Sequence, residues 1–211
     1  MSSDQQGGPP PRPVPSTEAM TDAVRVLLDG LGDDTRREGL QDTPARHLKA
    51  LRHFTSGYGK HPLEALRTAD GSHGFADGAP EDFNALVVQT NIRVWSLCEH
   101  HLLPFFGVAH IGYVPNGRIV GLSKFKRLVE IFARRFQVQE RLGCQIADAL
   151  MEHVKPLGVG VVLECRHTCM ESRGIEEPGT VTVTSALRGL FLEGALRAEF
   201  LNLAKRGSRP L

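Results

Sequence analysis

Apolar residues recur along this chain with two periods, and the switches between the periods divide it into elements. After Thr17, the residues Ala19, Ala23, Val26 and Leu27 fall on one helical stripe that runs out near Gly30 or Gly32. A second helix is expected after Asp42-Thr43-Pro44, where a capping residue precedes a proline tolerated in a first turn. Leu48, Leu51 and Phe54 form its stripe, Arg46 and His47 sit near its start, and Gly57-Tyr58-Gly59 stops it. Residues 68–84 are dense in Gly, Asp and Pro and read as a loop. The period then shortens. Residues 85–96 and 105–114 are β-branched and partly alternating, and Pro115-Asn116-Gly117 turns the chain into 118–120 as a hairpin arm or short return strand. Two amphipathic helices follow, 124–135 on Phe125, Leu128, Val129 and Phe132, and 138–154 on Leu142, Ile146, Ala149 and Leu150. Past Pro156-Leu157-Gly158, residues 159–167 read as a strand, with the Thr/Val alternation of 180–186 as its antiparallel mate. A last helix over 194–205 packs Leu196, Phe200 and Leu203.

The order α-α-β-β-α-α-β-β-α predicts an α+β fold, with no internal repeat. Three segments are expected: a disordered Pro/Gly-rich tail over 1–16, a helical region and loop over 17–84, and the main domain with its terminal helix over 85–211. A chain of 211 residues can bury a sizeable core. Its 25 Lys and Arg against 24 Asp and Glu set up no global field toward nucleic acid or a membrane, so an anionic ligand needs a local basic cluster. No apolar run approaches the ~20 residues of a membrane span, and no secretory signal is expected. Cys98, Cys144, Cys165 and Cys169 are then expected free or metal-bound, in a reducing cytoplasm.

The chemistry concentrates in Cys98-Glu99-His100-His101 and His167-Thr168-Cys169. Thiolate and imidazole suit zinc, and a catalytic zinc keeps three protein ligands with one position for water. Cys98, His101 and Cys169 form such a set. Residues two apart share a face of an extended strand, which is expected to present His167 and Cys169 together. His100 is a conceivable fourth ligand, but neighbours in sequence seldom reach one ion, and a water is preferred there. His100 and His167 remain as proton carriers beside a water whose pKa zinc lowers toward ~7. A candidate anion site lies at Gly121-Leu122-Ser123-Lys124, where a helix N-terminus with Ser123 as its cap adds Lys124 and Arg127; Arg173 is expected to converge on it. Glu140, in the first turn of a helix, can accept two parallel hydrogen bonds from an amidine edge such as that of guanine.

With these residues in hand, the chain resembles the GTP cyclohydrolase I family. The matching text is Ser-Leu-Cys-Glu-His-His-Leu-Leu-Pro-Phe at 96–105, Gly-Leu-Ser-Lys at 121–124, Gln-Val-Gln-Glu-Arg-Leu at 137–142 and His-Thr-Cys-Met through Arg173-Gly174, with a weaker Asp-Thr-Pro-x-Arg at 42–46. The resemblance implies conversion of GTP to 7,8-dihydroneopterin triphosphate with release of formate. It implies one Zn2+ per subunit on Cys98, His101 and Cys169, and proton transfer by His100 and His167. It further implies guanine recognition by Glu140 with Gln139, and triphosphate contacts from Ser123, Lys124, Arg127 and Arg173, with Arg46 reaching in from a neighbouring subunit. The implied fold is the tunnelling fold, ββααββ with a central helix pair, in a decameric ring with interfacial active sites. Arg166 and Glu171 depart from the family pattern and either tune the pocket or pair with each other. Three rivals stay open: the same reaction in a deazapurine pathway, a hydrolase that stops at the formamide, and a non-catalytic nucleotide-binding ring.

Overall fold

The shortened period near residue 85 marks the start of the sheet that carries the molecule. The computed structural model describes residues 13–67, 75–77, 85–192 and 194–208. The chain divides after Arg52 into two compact units. The first holds α1 (Thr17–Gly30) and most of α2 (Thr43–Phe54). Ser16 caps α1, its side chain accepting from the Ala19 amide at 3.1 Å, and no residue of α1 is buried. The expected tail falls mostly outside the described residues, as does most of the expected 68–84 loop.

The second unit opens with α3 (Pro62–Leu66) and a short strand β1 (Phe75–Asp77). Next come β2 (Val87–Cys98), β3 (Pro104–Val114), β4 (Arg118–Val120), α4 (Leu122–Ala133), β5 (Phe136–Gln137) and α5 (Gln139–Val154). The chain closes with β6 (Gly158–His167), α6 (Thr168–Glu171), β7 (Val181–Gly189), a 3-10 turn at Leu190–Leu192 and α7 (Gly194–Gly207). Five strands form one sheet in the order β5-β2-β3-β6-β7, antiparallel except for the parallel β2–β5 pair.

Register decides which residues meet. Ser96 and His167 both lie opposite Phe105, and Leu163 opposite Ala109. One face therefore carries Val94, Ser96 and Cys98, then Phe105 and Ile111, then Val161, Leu163, Cys165 and His167. The α4–α5 pair covers that face with Phe125, Leu128, Val129 and Phe132 and with Leu142, Ile146, Ala149 and Leu150, all buried as their spacing predicts. The other face packs against Phe191 and Phe200 of the C-terminal segment. There Gly112 pairs with Gly160, and a Cβ on either would sit 2.6 or 2.5 Å from the Phe200 ring.

Two expectations are corrected. Residues 118–120 do not return against β3; they pair with β1 in a separate two-stranded sheet. β3 already has β2 on one edge and β6 on the other, so no edge is left for a hairpin arm. Nor is Ser123 a cap: α4 starts at Leu122, the N-cap is Gly121, and no side chain bonds there.

Gly160→Val should overpack the Phe200 contact and cost about 1–3 kcal/mol, lowering the urea midpoint. An unchanged midpoint would remove the claim that the ring needs bare backbone beneath it.

Candidate metal centre and its surroundings

One end of the sheet gathers the chemistry. β2 ends at Cys98 and the chain turns at once, with the Leu102 amide donating to Cys98 O at 2.8 Å and the Cys98 amide to Leu103 O at 2.9 Å. Leu102 adopts φ 55° to close this turn. The Glu99 amide donates to Gln137 O at 3.0 Å, and the Glu99 carboxylate pairs with Arg141. The turn is thus tied to β5 and α5. Across the sheet β6 ends at His167, and the Thr168 hydroxyl donates to Pro104 O at 2.6 Å, starting the short α6 that carries Cys169. Cys169 is therefore on a helix turn and not on the strand. Its approach to Cys98 comes from that turn, rather than from a shared strand face.

The ligand atoms of Cys98, His101 and Cys169 lie within 4.8 Å of one another. Cys98 Sγ is 3.7 Å from His101 Nδ1. Tetrahedral zinc with Zn–S of ~2.3 Å and Zn–N of ~2.0 Å places sulfur and nitrogen roughly 3.6 Å apart, so this pair already has the spacing of two ligands on one ion. Burial, then the neighbouring Cys98 thiol, push the Cys169 thiol up, while the Arg173 guanidinium works against them. A divalent cation among two thiols reverses that balance and takes them as thiolates. His100 does not join the set. Its side chain is 65 % exposed, with Nε2 4.0 Å from Glu99 Oε1 and its ring edge-on to His101 at 6.2 Å.

His167 is held from two sides. Its ring stacks on Phe105 at 4.7 Å, and its Nε2 lies 2.9 Å from Gln139 Oε1. Gln139, the first residue of α5, is 1 % exposed. Its Nε2 donates to Leu163 O at 3.1 Å, Thr182 O at 2.9 Å and Thr184 Oγ1 at 3.1 Å, so the amide cannot be flipped. Oε1 must then accept, and His167 Nε2 carries the proton. In the neutral ring the lone pair is on Nδ1. Burial lowers the His167 pKa, against the pull of the Glu140 and Glu171 carboxylates. Glu140 itself is exposed beside this histidine. With both ends of its amide engaged, Gln139 offers a guanine no free side-chain group, which sequence reasoning missed because burial and register are needed to see it.

Arg166 and Glu171 pair bidentately at 2.7 and 2.8 Å, and the guanidinium holds the Glu171 carboxyl below the usual range. Arg173 Nη1 reaches His101 Nε2 at 3.1 Å, at the metal end and not at the α4 N-terminus where it was expected to converge. The rest of the expected anion cluster is elsewhere. Lys124 is buried, with Nζ donating to Arg67 O. The start of α4 lies by Tyr113, whose hydroxyl accepts from the Val120 amide at 2.9 Å, whereas its end lies by Gln137, which donates to Phe132 O. A helix of 12 residues spans roughly 18 Å, so Ser123 and Lys124 are far from the Cys98 of their own chain. Arg127 lines a cavity of about 480 Å3 with His53, Lys60, Glu64, Glu130 and Arg134. Arg46, in the first unit, pairs with Asp42 at 2.9 Å.

Residues 20–205 match the family model for GTP cyclohydrolase I. The chain is 56% identical over 194 residues to the GTP cyclohydrolase 1 of Janthinobacterium sp. (strain Marseille), covering 92% of this chain and 94% of that one. It is 47% identical over 192 residues to the GTP cyclohydrolase 1 of Saccharomyces cerevisiae, covering 90% and 76%. A GTP cyclohydrolase 1 of Nostoc sp. (strain PCC 7120) is 50% identical over 194 residues, covering 91% and 86%.

Cys169→Ser should abolish zinc binding, read by metal analysis of the purified variant; full zinc occupancy would remove Cys169 from the ligand set. The four thiols should also differ in reactivity. Burial pushes Cys165 up to about 12, so native-state alkylation followed by mass mapping should leave it unmodified.

Proposed function

The chain belongs to the GTP cyclohydrolase I family, and from that premise we propose that it opens the imidazole ring of GTP by hydrolysis, releases formate and recloses the product as 7,8-dihydroneopterin triphosphate. The single observation that supports this most is the convergence of Cys98, His101 and Cys169, three ligands and no fourth among the described residues, beside a histidine with a defined tautomer. Zinc held there would supply Lewis acidity and a water acidified into reach of neutral pH.

The chain's own residues do the rest. His167, with Nε2–H held by Gln139, picks up a proton on Nδ1 and passes it to the purine N7. Exposed His100 relays protons to solvent in the later steps. Glu140 accepts N1–H and N2–H of guanine, a charge-assisted pair that adenine cannot offer. Gln139, assigned from the resemblance to guanine recognition, instead orients His167. Arg173, at the metal end, takes the triphosphate.

Ser123, Arg127 and Arg46 complete the triphosphate site from neighbouring subunits, since Ser123 lies a helix length from its own metal group; Lys124, buried with its Nζ donating to Arg67 O, joins them only by giving up that bond. The tunnelling fold supplies a way to bring them in. Among the described residues β7 has no partner on its outer edge, and β2 pairs with β5 only at Leu97 and Cys98. Two open edges favour head-to-tail pairing into a closed ring, for which a decamer is proposed. The exposed stripe of α1, with Val26 71% and Leu27 58% exposed, suits the same assembly. No helix of the described chain is long and apolar enough to cross a membrane. The free cysteines suit a reducing cytoplasm.

Incubation with GTP and Zn2+ should release formate and give a pterin that fluoresces after oxidation. Ring opening without formate would show a hydrolase that stops at the formamide. Glu140→Ala should raise KM for GTP with the fold intact by circular dichroism, and an unchanged preference for GTP over ATP would remove its role. Gel filtration should give a species many times 23.1 kDa.

A further inference from the structure

Arg173 is bonded to a residue of the candidate ligand set. Its Nη1 lies 3.1 Å from His101 Nε2, and a guanidinium has no lone pair to offer, so the imidazole nitrogen must accept. His101 is neutral in this contact, and its single N–H is then on Nδ1, directed at Cys98 Sγ at 3.7 Å. The chain of donors runs from Arg173 through His101 to the Cys98 sulfur.

Metal ligation breaks this chain whichever nitrogen takes the ion. An ion on Nδ1 displaces that hydrogen, so the neutral ring carries its proton on Nε2, and two N–H groups then point at each other across 3.1 Å. An ion on Nε2 occupies the position that Arg173 uses. Either way the guanidinium loses its acceptor while keeping its charge. Arg173 and His101 are both exposed, so the side chain can swing away without disturbing the core.

We infer that loading the Cys98–His101–Cys169 set with metal switches Arg173 from His101 to an anionic ligand, so that metal and a triphosphate group bind with positive coupling. The inference rests on the assignment of Arg173 to the triphosphate in the proposed function. It adds an order to the site: an unloaded centre holds its own phosphate-binding cation, and a loaded one releases it. The coupling is reciprocal, so a bound triphosphate also strengthens the hold on the ion.

The test uses inorganic tripolyphosphate, measured by calorimetry on the assembled full-length protein, once stripped of metal and once reloaded with Co2+. The thiolate-to-cobalt absorption band reports that the ion stays in place, and light scattering reports the assembly. Loading should raise tripolyphosphate affinity on the order of tenfold in the native protein. In Arg173→Ala that rise should vanish, with affinity near the weaker native level in both forms. An equal rise in the variant overturns the switch, because the charge of the ion or a change of assembly then explains it. Tight native binding in both forms, with the variant weak in both, also overturns the switch but leaves the phosphate role of Arg173 standing. Native-like binding by the variant in both forms removes the phosphate role, and the switch falls with it.

Discussion

The antiparallel register that places Phe105 opposite both Ser96 and His167 is the constraint on which the rest of the molecule depends. It puts Cys98 and His167 on the same face at the same end of the sheet, from strands that do not touch each other. A slip of one residue would turn every side chain of a strand to the opposite face. Both faces resist that slip. Phe200 tolerates only glycine beneath it at 112 and 160, and the α4–α5 face needs Ala109, Val161 and Leu163 inward. On β2 the phase is restored by an irregularity between Gln89 and Ile92, where Asn91 takes φ 57°. Beyond it Ile92, Val94 and Ser96 are buried in alternation, and Cys98 arrives on the correct side.

A second tie holds the helices to that end. The Gln139 amide joins the first turn of α5 to β6, to β7 and to His167 at once, and every polar atom of its side chain is used. A buried amide with all its partners rigidifies a site, whereas one with a partner missing would cost about 1–3 kcal/mol. Because α5 starts at this anchored residue, Glu140 has a fixed place beside His167, with its carboxylate left to the solvent side.

The helices and main strands were legible because their periodicities are local and strong, and Phe125, Leu128 and Ile146 are buried where the pattern puts them. The candidate ligand set, whose atoms converge, was legible because Cys98 and His101 are three apart and thiol–imidazole chemistry is specific. The identity of Cys169 was legible as well, though the reason given for it was wrong: α6 starts one residue after the strand ends. What depends on three-dimensional pairing was not legible. The partner of residues 118–120 is a three-residue strand inside a stretch that reads as a loop. Lys124 looks like a free cation in sequence, yet it is buried against Arg67. The Arg166–Glu171 pair was left open between tuning and mutual pairing, and the side chains meet bidentately.

The separation of basic residues and the openness of the sheet edges have a common consequence. β7 begins opposite Arg166, next to His167, so its outer edge starts at the metal end. β2 finishes at that end too, with Cys98 as its last residue and only β5 beside it among the described residues. A neighbouring copy that pairs with either edge must arrive next to the metal group. The same contact that removes an exposed edge would therefore bring foreign side chains to the proposed site, and Ser123, a helix length away, does not serve it from within its own chain. In the proposed ring, assembly and catalysis are one requirement: a lone subunit would hold the metal and the guanine-facing carboxylate but lack part of its phosphate grip.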